Sequence, residues 1–126
     1  MLNQAPSKTS QNLTNSDDVI ALVSDKWVGH VLRSLRLGNN RYGQLRRTIP
    51  GITRKMLTQT LRKLERNGII LRTDYDESPP RVEYSITPLG ETLIAHLTTL
   101  CQWSKQFYAD VEAAREDYDA TNDGWI

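Results

Sequence analysis

The side chains best equipped for chemistry are concentrated between residues 53 and 66. They include Thr53, Arg54, Lys55, Thr58, Gln59, Arg62 and Arg66. Arginine can form paired hydrogen bonds to guanine, glutamine can form them to adenine, and a threonine methyl can contact thymine. Lysine adds a compact positive charge that attracts phosphate. This set therefore suits contact with the phosphates and base edges of a nucleic acid.

Residue sets for catalysis or metal binding are missing from the sequence. Cys101 is the single cysteine, which excludes an internal disulfide and a thiolate-rich zinc site. His30 and His96 add too little to make a ligand cluster. No nucleophile with a base, no paired carboxylates in an apolar setting and no glycine-rich phosphate loop stand out. We predict that the protein is not an enzyme, and we assign no catalytic, metal-binding or cofactor-binding residue.

Positive charge is segregated along the chain, although the net formal charge is only +1. Residues 26–72 contain twelve Lys or Arg against one acidic residue, Glu65, which gives a local charge of +11. Residues 106–126 contain six Asp or Glu against Arg115, which gives −5. A concentrated basic segment is typical of proteins that bind a phosphate backbone. A charged surface that meets only water is the alternative interpretation.

The size and composition of the chain fit one globular domain. The 126 residues are 38% hydrophobic and 25% charged, as in ordinary globular proteins. No apolar run approaches the ~18 residues that a membrane-spanning helix requires. The N-terminal segment has no apolar core of a signal peptide. We therefore predict a cytoplasmic protein without a membrane partner.

A helix over residues 53–67 is predicted to point the basic side chains outward. Thr53 can cap its start, and Asn67-Gly68 tolerates the left-handed backbone of a helix end. Leu57, Leu61 and Leu64 follow one another at spacings of four and three, which places them on one face. At ~100° per residue, the opposite face carries Lys55, Gln59, Arg62 and Arg66.

Two short helices and a turn are predicted before this basic helix. Residues 26–37 form the first, with a buried stripe of Trp27, Val28, Val31, Leu32 and Leu35. Arg41-Tyr42 is predicted as a very short strand, residues 43–48 as the next helix and Pro50-Gly51 as the turn. Short helices, a tight turn and a longer basic helix together make a helix-turn-helix pattern.

A β-hairpin is predicted after the basic helix. Its strands cover residues 69–75 and 81–86, and the loop between them contains Pro79-Pro80, which cannot donate ladder hydrogen bonds. Alternation in the second strand predicts Val82, Tyr84 and Ile86 inward, with Glu83 and Ser85 outward. A hairpin in this position is the wing of a winged helix. The predicted fold class is therefore mainly α with a small β-hairpin (α+β).

Apolar residues near both ends predict contacts beyond a single small domain. Polar residues 1–15 are expected to form a flexible arm, after which Ser16 starts a first short helix. Thr87-Pro88 starts a last helix of some 25 residues with a wide apolar band. We expect the band to pack both on the first helix and on a second copy of the chain. The predicted domain covers residues 16–116, and residues 117–126 are an acidic tail.

Several stretches resemble the HxlR-type winged helix-turn-helix regulators of bacteria, which are related to the MarR-type group. The residues that carry the resemblance are Asp25-Lys26-Trp27, YGQLRR at 42–47, IPGI at 49–52 with the leucines after it, and PPRVEYSITPLG at 79–90. The last stretch is the most specific of these signals. The likeness covers about residues 18–107.

The resemblance implies a homodimeric regulator of transcription that binds double-stranded DNA sequence-specifically. It implies that helix 53–67 enters the major groove and that the wing, residues 72–86, approaches the flanking backbone or minor groove. The predicted DNA contacts are Arg46, Arg47, Thr53, Arg54, Lys55, Thr58, Gln59, Arg62 and Arg81. The predicted dimer contacts are Val19, Ile20, Val23, Leu93, Leu97, Leu100, Cys101, Phe107 and Tyr108.

Two questions stay open at this stage. Many members of the family sense electrophiles or oxidants through a cysteine shortly before the first helix, but residues 1–15 contain none and Cys101 lies in the predicted dimer helix. An effector, whether a small molecule or an oxidant, is therefore unassigned. The other open question is the partner. A winged-helix protein-interaction module is the alternative, and RNA is another, although a basic helix fits the B-DNA major groove better.

Overall fold

The computed structural model describes residues 17–122, which contain five helices and one two-stranded antiparallel sheet. Helix α1 covers residues 17–24. The other elements are α2 (Lys26–Arg36), α3 (Tyr42–Thr48), α4 (Arg54–Arg66), β1 (Ile70–Asp74), β2 (Val82–Ile86) and α5 (Pro88–Thr121). This order confirms the predicted mainly helical winged helix-turn-helix fold with its small hairpin. The predicted arm and the start of α1 at Ser16 lie outside the described residues.

Two compact units make up the chain. The first extends to Leu93 and contains α1 to α4, the hairpin and the first turns of α5, whereas the second begins at Ile94 and contains the rest of α5. Residues 17–122 contain no helix with the length and hydropathy of a membrane-spanning segment.

The core of the first unit is formed by aliphatic side chains spaced three or four residues apart. In α2, Val28, Val31 and Leu32 are buried, and this helix packs mainly on α4. Leu57 and Leu64 of α4 are completely buried. Burying one such side chain stabilises the fold by roughly 1.5–3 kcal/mol. Trp27, predicted in the same stripe, is only half-buried.

Polar side chains cap three of the helices where the sequence has Asp or Thr. Asp25 caps α2 by accepting a hydrogen bond of 2.9 Å from the backbone N–H of Trp27. Thr53 caps α4 through the N–H of Met56 at 3.1 Å, and Thr87 caps α5 through that of Gly90 at 3.0 Å. The predicted caps at Thr53 and Thr87 are therefore confirmed.

Arg41-Tyr42 does not form the predicted short strand. Helix α3 begins at Tyr42, and the side-chain oxygen of Gln44 accepts hydrogen bonds from the backbone N–H groups of Asn40 and Arg41 at 3.1 and 3.2 Å. These two donors are therefore unavailable to a neighbouring strand. The carbonyl of Asn40 accepts a hydrogen bond of 2.8 Å from the N–H of Tyr84 in β2.

The hairpin pairs Ile70 with Ile86 and Asp74 with Val82. The prediction that Glu83 points outward is wrong, because its side chain is only 20% exposed. Its carboxylate accepts a hydrogen bond of 3.1 Å from the hydroxyl of Tyr75. It also lies 3.6 Å from Arg41 and 3.5 Å from Arg81. These polar partners satisfy a carboxylate that alternation alone would have placed in water.

Helix α5 starts against the end of α4 and the beginning of β1. The hydroxyl of Thr87 lies 2.6 Å from the carbonyl of Gly68, to which it donates. A side chain at Gly90 would collide with the carbonyl of Ile69, so this helix turn can approach the sheet only with glycine.

Helix α5 is longer than the sequence predicted. It has 34 residues and ends at Thr121, beyond the boundary predicted at residue 116. The first part of the predicted acidic tail is therefore helical. Leu100 and Trp103 are each 53% exposed in the single chain.

Candidate nucleic-acid interface

Helix α4 has a buried side and a polar side, as its sequence predicts. Leu57, Leu61 and Leu64 hold the helix against the core with at most 2% of their surface exposed. The opposite side carries exposed Lys55, Gln59, Arg62 and Arg66, with exposed Thr53 and Arg54 at the start of the helix. Thr58 is half-buried. The polar groups therefore project from a rigid support.

Most cations of α4 have no acidic partner. Among residues 17–122, none of Arg54, Lys55, Arg62 and Arg66 takes part in an ion pair. Lys63 is different, since its ammonium lies 3.0 Å from Oδ2 of Asp25. The outer face of α4 therefore keeps most of its positive charge free for an external anion.

The ion pair between Lys63 and Asp25 links α4 to the start of α2. Partial burial of the Asp25 carboxylate acts to raise its pKa, but hydrogen bonds from Lys63 and the N–H groups of Trp27 and Val28, with the Lys63 charge, hold the pKa below its usual value. This ion pair is structural.

Tyr42 connects α3 to the first turn of α4. Its hydroxyl donates to the backbone carbonyl of Arg54 at 3.1 Å and lies 3.1 Å from Oγ1 of Thr58. Tyr42 is not among the residues predicted to contact DNA. The sequence offers one signal for Tyr42, a tyrosine four residues before the basic pair Arg46-Arg47. The hydrogen-bond partners of Tyr42, however, lie 12 and 16 residues away along the chain.

Tyr42 lies on the walls of two surface cavities. The larger, of about 370 Å³, is lined by Tyr42, Gly43, Arg46, Arg47, Ile52 and Arg54. The structure therefore brings the two arginines of α3 together with the first arginine of α4. The smaller cavity, of about 230 Å³, includes Thr58, Arg62 and Arg72. Arg72 of β1 was counted in the basic segment but was not predicted as a site residue.

Arg81 of the wing, unlike the unpaired cations of α4, has acidic neighbours. The Nε atom of Arg81 lies 3.0 Å from Oε1 of Glu77, without the alignment of a hydrogen bond, and its Nη1 lies 3.5 Å from Glu83. The guanidinium also stacks 3.7 Å from the ring centre of Tyr75. The hydrogen bond from Tyr75 to Glu83 raises the pKa of that phenol, because ionisation would place two anions together. Arg81 is thus compensated within the wing.

The residues predicted at a dimer contact are largely accessible in the single chain. Val19 and Ile20 of α1 are exposed, whereas Val23 is half-buried. On α5, Leu93, Leu97 and Phe107 are half-buried, and Leu100, Cys101 and Tyr108 are exposed.

Within residues 17–122, no group of three or more His, Cys, Asp or Glu side chains could hold a metal ion.

Comparison with known proteins gives one consistent relationship. The family model described as HxlR-like helix-turn-helix matches residues 22–112. The HTH-type transcriptional regulator YkvN of Bacillus subtilis is 48% identical over 98 residues, which cover 78% of this chain and 82% of that protein.

Solved structures agree with this relationship. The Salmonella typhimurium protein ytfH, described as a transcriptional regulator, is 40% identical and superimposes with a TM-score of 0.69 over 80% of this chain and 90% of its own. The reduced form of the redox regulator HypR is 33% identical, with a TM-score of 0.69 over 79% and 98% of the two chains. The match is to regulators and not to enzymes. This chain belongs to the HxlR-like helix-turn-helix family of transcriptional regulators, which implies that it binds DNA.

Proposed function

We propose that this chain acts as a homodimer on specific sites in double-stranded DNA, with α4 in the major groove. The observation that carries the proposal is the outer face of α4, where Lys55, Gln59 and Arg62 are exposed and neither Lys55 nor Arg62 has an acidic partner among the described residues. A helix with its side chains is about 10–12 Å wide, and the major groove is about 12 Å wide.

Phosphates and bases would be contacted by different residues. Arg46, Arg47 and Arg54 surround one cavity at the junction of α3 and α4, so we assign them to the DNA backbone. Gln59 and Arg62 carry the paired hydrogen-bonding groups suited to base edges, with Lys55 and Thr58 beside them. Thr53 would contribute near the phosphates as the cap of α4. Arg81 would approach the flanking backbone or minor groove from the wing.

The second copy would be held by the apolar residues of α1 and α5. Leu100, Trp103 and Tyr108 are more than half exposed in the single chain, which favours a partner surface over contact with water. A two-fold dimer would place two α4 helices on half-sites about one helical turn apart.

Selection from a library of random duplexes tests sequence-specific binding. We expect one pair of related half-sites to be enriched, and the selected duplex to bind better than a scrambled duplex at two salt concentrations. Equal binding to the two duplexes would contradict sequence-specific recognition. Absence of binding to either duplex would favour the protein-interaction module.

Sedimentation of Leu97→Asp tests the dimer. A carboxylate in an apolar contact between copies is expected to give monomers, because its burial without a partner is costly. Thr99→Asp serves as the control, because it adds the same charge at an exposed position of α5 that lies about 200° around the helix from Leu97. If Leu97→Asp sediments with the mass of two chains, α5 is not the main contact.

The similarity to the redox regulator HypR makes an oxidant the first effector to test. Cys101 supplies the one thiol of this chain and is exposed in the single copy. DNA binding should fall or rise after treatment with an oxidant, and Cys101→Ser should abolish that response. An equal response of both proteins would assign the effect to another group.

A further inference from the structure

The hydroxyl of Tyr42 contacts two oxygen atoms near the start of α4. It lies 3.1 Å from the carbonyl oxygen of Arg54 and 3.1 Å from Oγ1 of Thr58. Tyr42 and Thr58 are both half-buried, and both line the cavity that also includes Arg62. The contact therefore lies within the surface assigned to DNA.

Counting protons determines which atom donates. A carbonyl oxygen can only accept, so the contact with Arg54 requires the single phenol proton of Tyr42. The contact with Thr58 is then a hydrogen bond only if the threonine hydroxyl donates to the Tyr42 oxygen. The opposite arrangement, in which Tyr42 donates to Thr58, would leave the phenol and carbonyl oxygens 3.1 Å apart without a proton between them. The first arrangement forms both hydrogen bonds and is favoured.

We propose that Tyr42 is a positioning residue that makes Thr58 an obligate hydrogen-bond acceptor toward DNA. This inference rests on the proposed entry of α4 into the major groove. A threonine hydroxyl can ordinarily donate or accept, so by itself it reads bases poorly. With its proton committed to Tyr42, Oγ1 of Thr58 has only lone pairs to offer. It would select a base with an amino group in the major groove, which is adenine through N6 or cytosine through N4.

The removal of one oxygen atom tests the proposal. Tyr42→Phe keeps the aromatic ring and frees the Thr58 hydroxyl to rotate and donate. In selection from random duplexes, the wild-type protein should favour adenine and cytosine over guanine and thymine on one strand at one position of each half-site, because every base pair carries one such amino group and only its strand can be selected. Tyr42→Phe should lower that enrichment about threefold to tenfold, since one hydrogen bond decides it. Other positions should keep their preferences.

Variants of Thr58 provide the matched controls. Thr58→Val removes the acceptor and should lose the preference at the same position, and adding Tyr42→Phe to it should change nothing further. Thr58→Ser keeps the hydroxyl without the methyl group and should retain the preference. Loss of the preference in Thr58→Ser would overturn the proposal, because a methyl contact with thymine would then explain the readout.

The remaining outcomes separate this inference from the function on which it rests. If wild-type protein selects a sequence but Tyr42→Phe weakens all duplexes equally, Tyr42 has only a structural role and the inference fails alone. The same follows if Tyr42→Phe changes a position that Thr58→Val leaves unchanged. If wild-type protein selects no sequence, the proposed function fails with it. Thermal unfolding of each variant verifies folding, and Thr58→Val tests the acceptor even if Tyr42→Phe is unstable.

Discussion

The outer face of α4 and the wing both carry arginine, but the surroundings of that arginine differ. Arg62 on α4 is exposed and has no ion-pair partner among the described residues, whereas Arg81 lies between Glu77 and Glu83 and stacks on Tyr75. Phosphate can bind the first directly but must displace an existing partner from the second. An arginine assigned to DNA from the sequence is therefore not always a free charge in the folded chain.

Neighbouring cations on α4 provide the strongest test of this difference. Arg62→Ala should weaken binding to the selected duplex about tenfold to hundredfold, as expected for a guanidinium that contacts a base. Lys63→Ala should change it by less than about twofold, because Lys63 is paired with Asp25. Fluorescence anisotropy at fixed salt measures both. Similar losses in the two variants would show that ion pairing within the chain does not decide which cation contacts DNA.

Two residues on the same surface should separate affinity from sequence preference. Gln59→Ala should reduce the ratio of selected to scrambled binding about tenfold, because a paired contact with a base is lost. Arg46→Ala should weaken both duplexes alike and lower the slope of binding against salt by about 1. Titrations of both duplexes at two salt concentrations measure these effects. An equal loss for both variants on both duplexes would refute the division of roles.

Removing an acidic neighbour of Arg81 should make its charge more available to DNA, like that of the unpaired Arg62. Glu77→Gln removes one of the two carboxylates beside Arg81 and should increase DNA affinity about twofold to fivefold, since a surface ion pair contributes up to about 1 kcal/mol. The salt dependence should become steeper. Asp74→Asn, which removes an acidic charge from the wing that has no ion pair with Arg81, is the control. Equal gains in both variants would indicate a general charge effect.

The smallest effect is expected at Asp25, the partner of Lys63. Asp25→Asn can retain the cap of α2 but loses the charge, so the free energy of unfolding at pH 7 should fall by less than about 1 kcal/mol. Because folding lowers the pKa of Asp25 from 3.8, its contribution is present above that pH and is lost as the pH falls through the folded pKa. Urea unfolding should show a larger difference between the two proteins at pH 7 than at pH 3.

Local sequence patterns were sufficient to predict the helices and the hairpin of the first unit. The spacing of Leu57, Leu61 and Leu64 predicted the buried side of α4, and Thr53 and Gly68 predicted its two ends. These signals lie within a few residues of the structure they determine. The HxlR-type resemblance rests on equally local motifs, and the family match supports it.

Features that depend on distant partners were missed. Alternation predicted Glu83 outward, but Tyr75 and two arginines surround its carboxylate in the folded chain. Tyr42 acquires its role from the carbonyl of Arg54 and the hydroxyl of Thr58. The length of α5 was underestimated for another reason. Residues 117–121 were assigned to an acidic tail, although they contain no glycine or proline that would end a helix.

The free cations of α4 also bear on how the protein would find its site. Positive charge without an internal partner attracts any duplex, whatever its sequence, by releasing counterions. We therefore expect the regulator to spend much of its time on unrelated DNA and to travel along it by sliding and hopping. Under those conditions, promoter occupancy would depend on how much longer it stays at its own site than at the many competing ones.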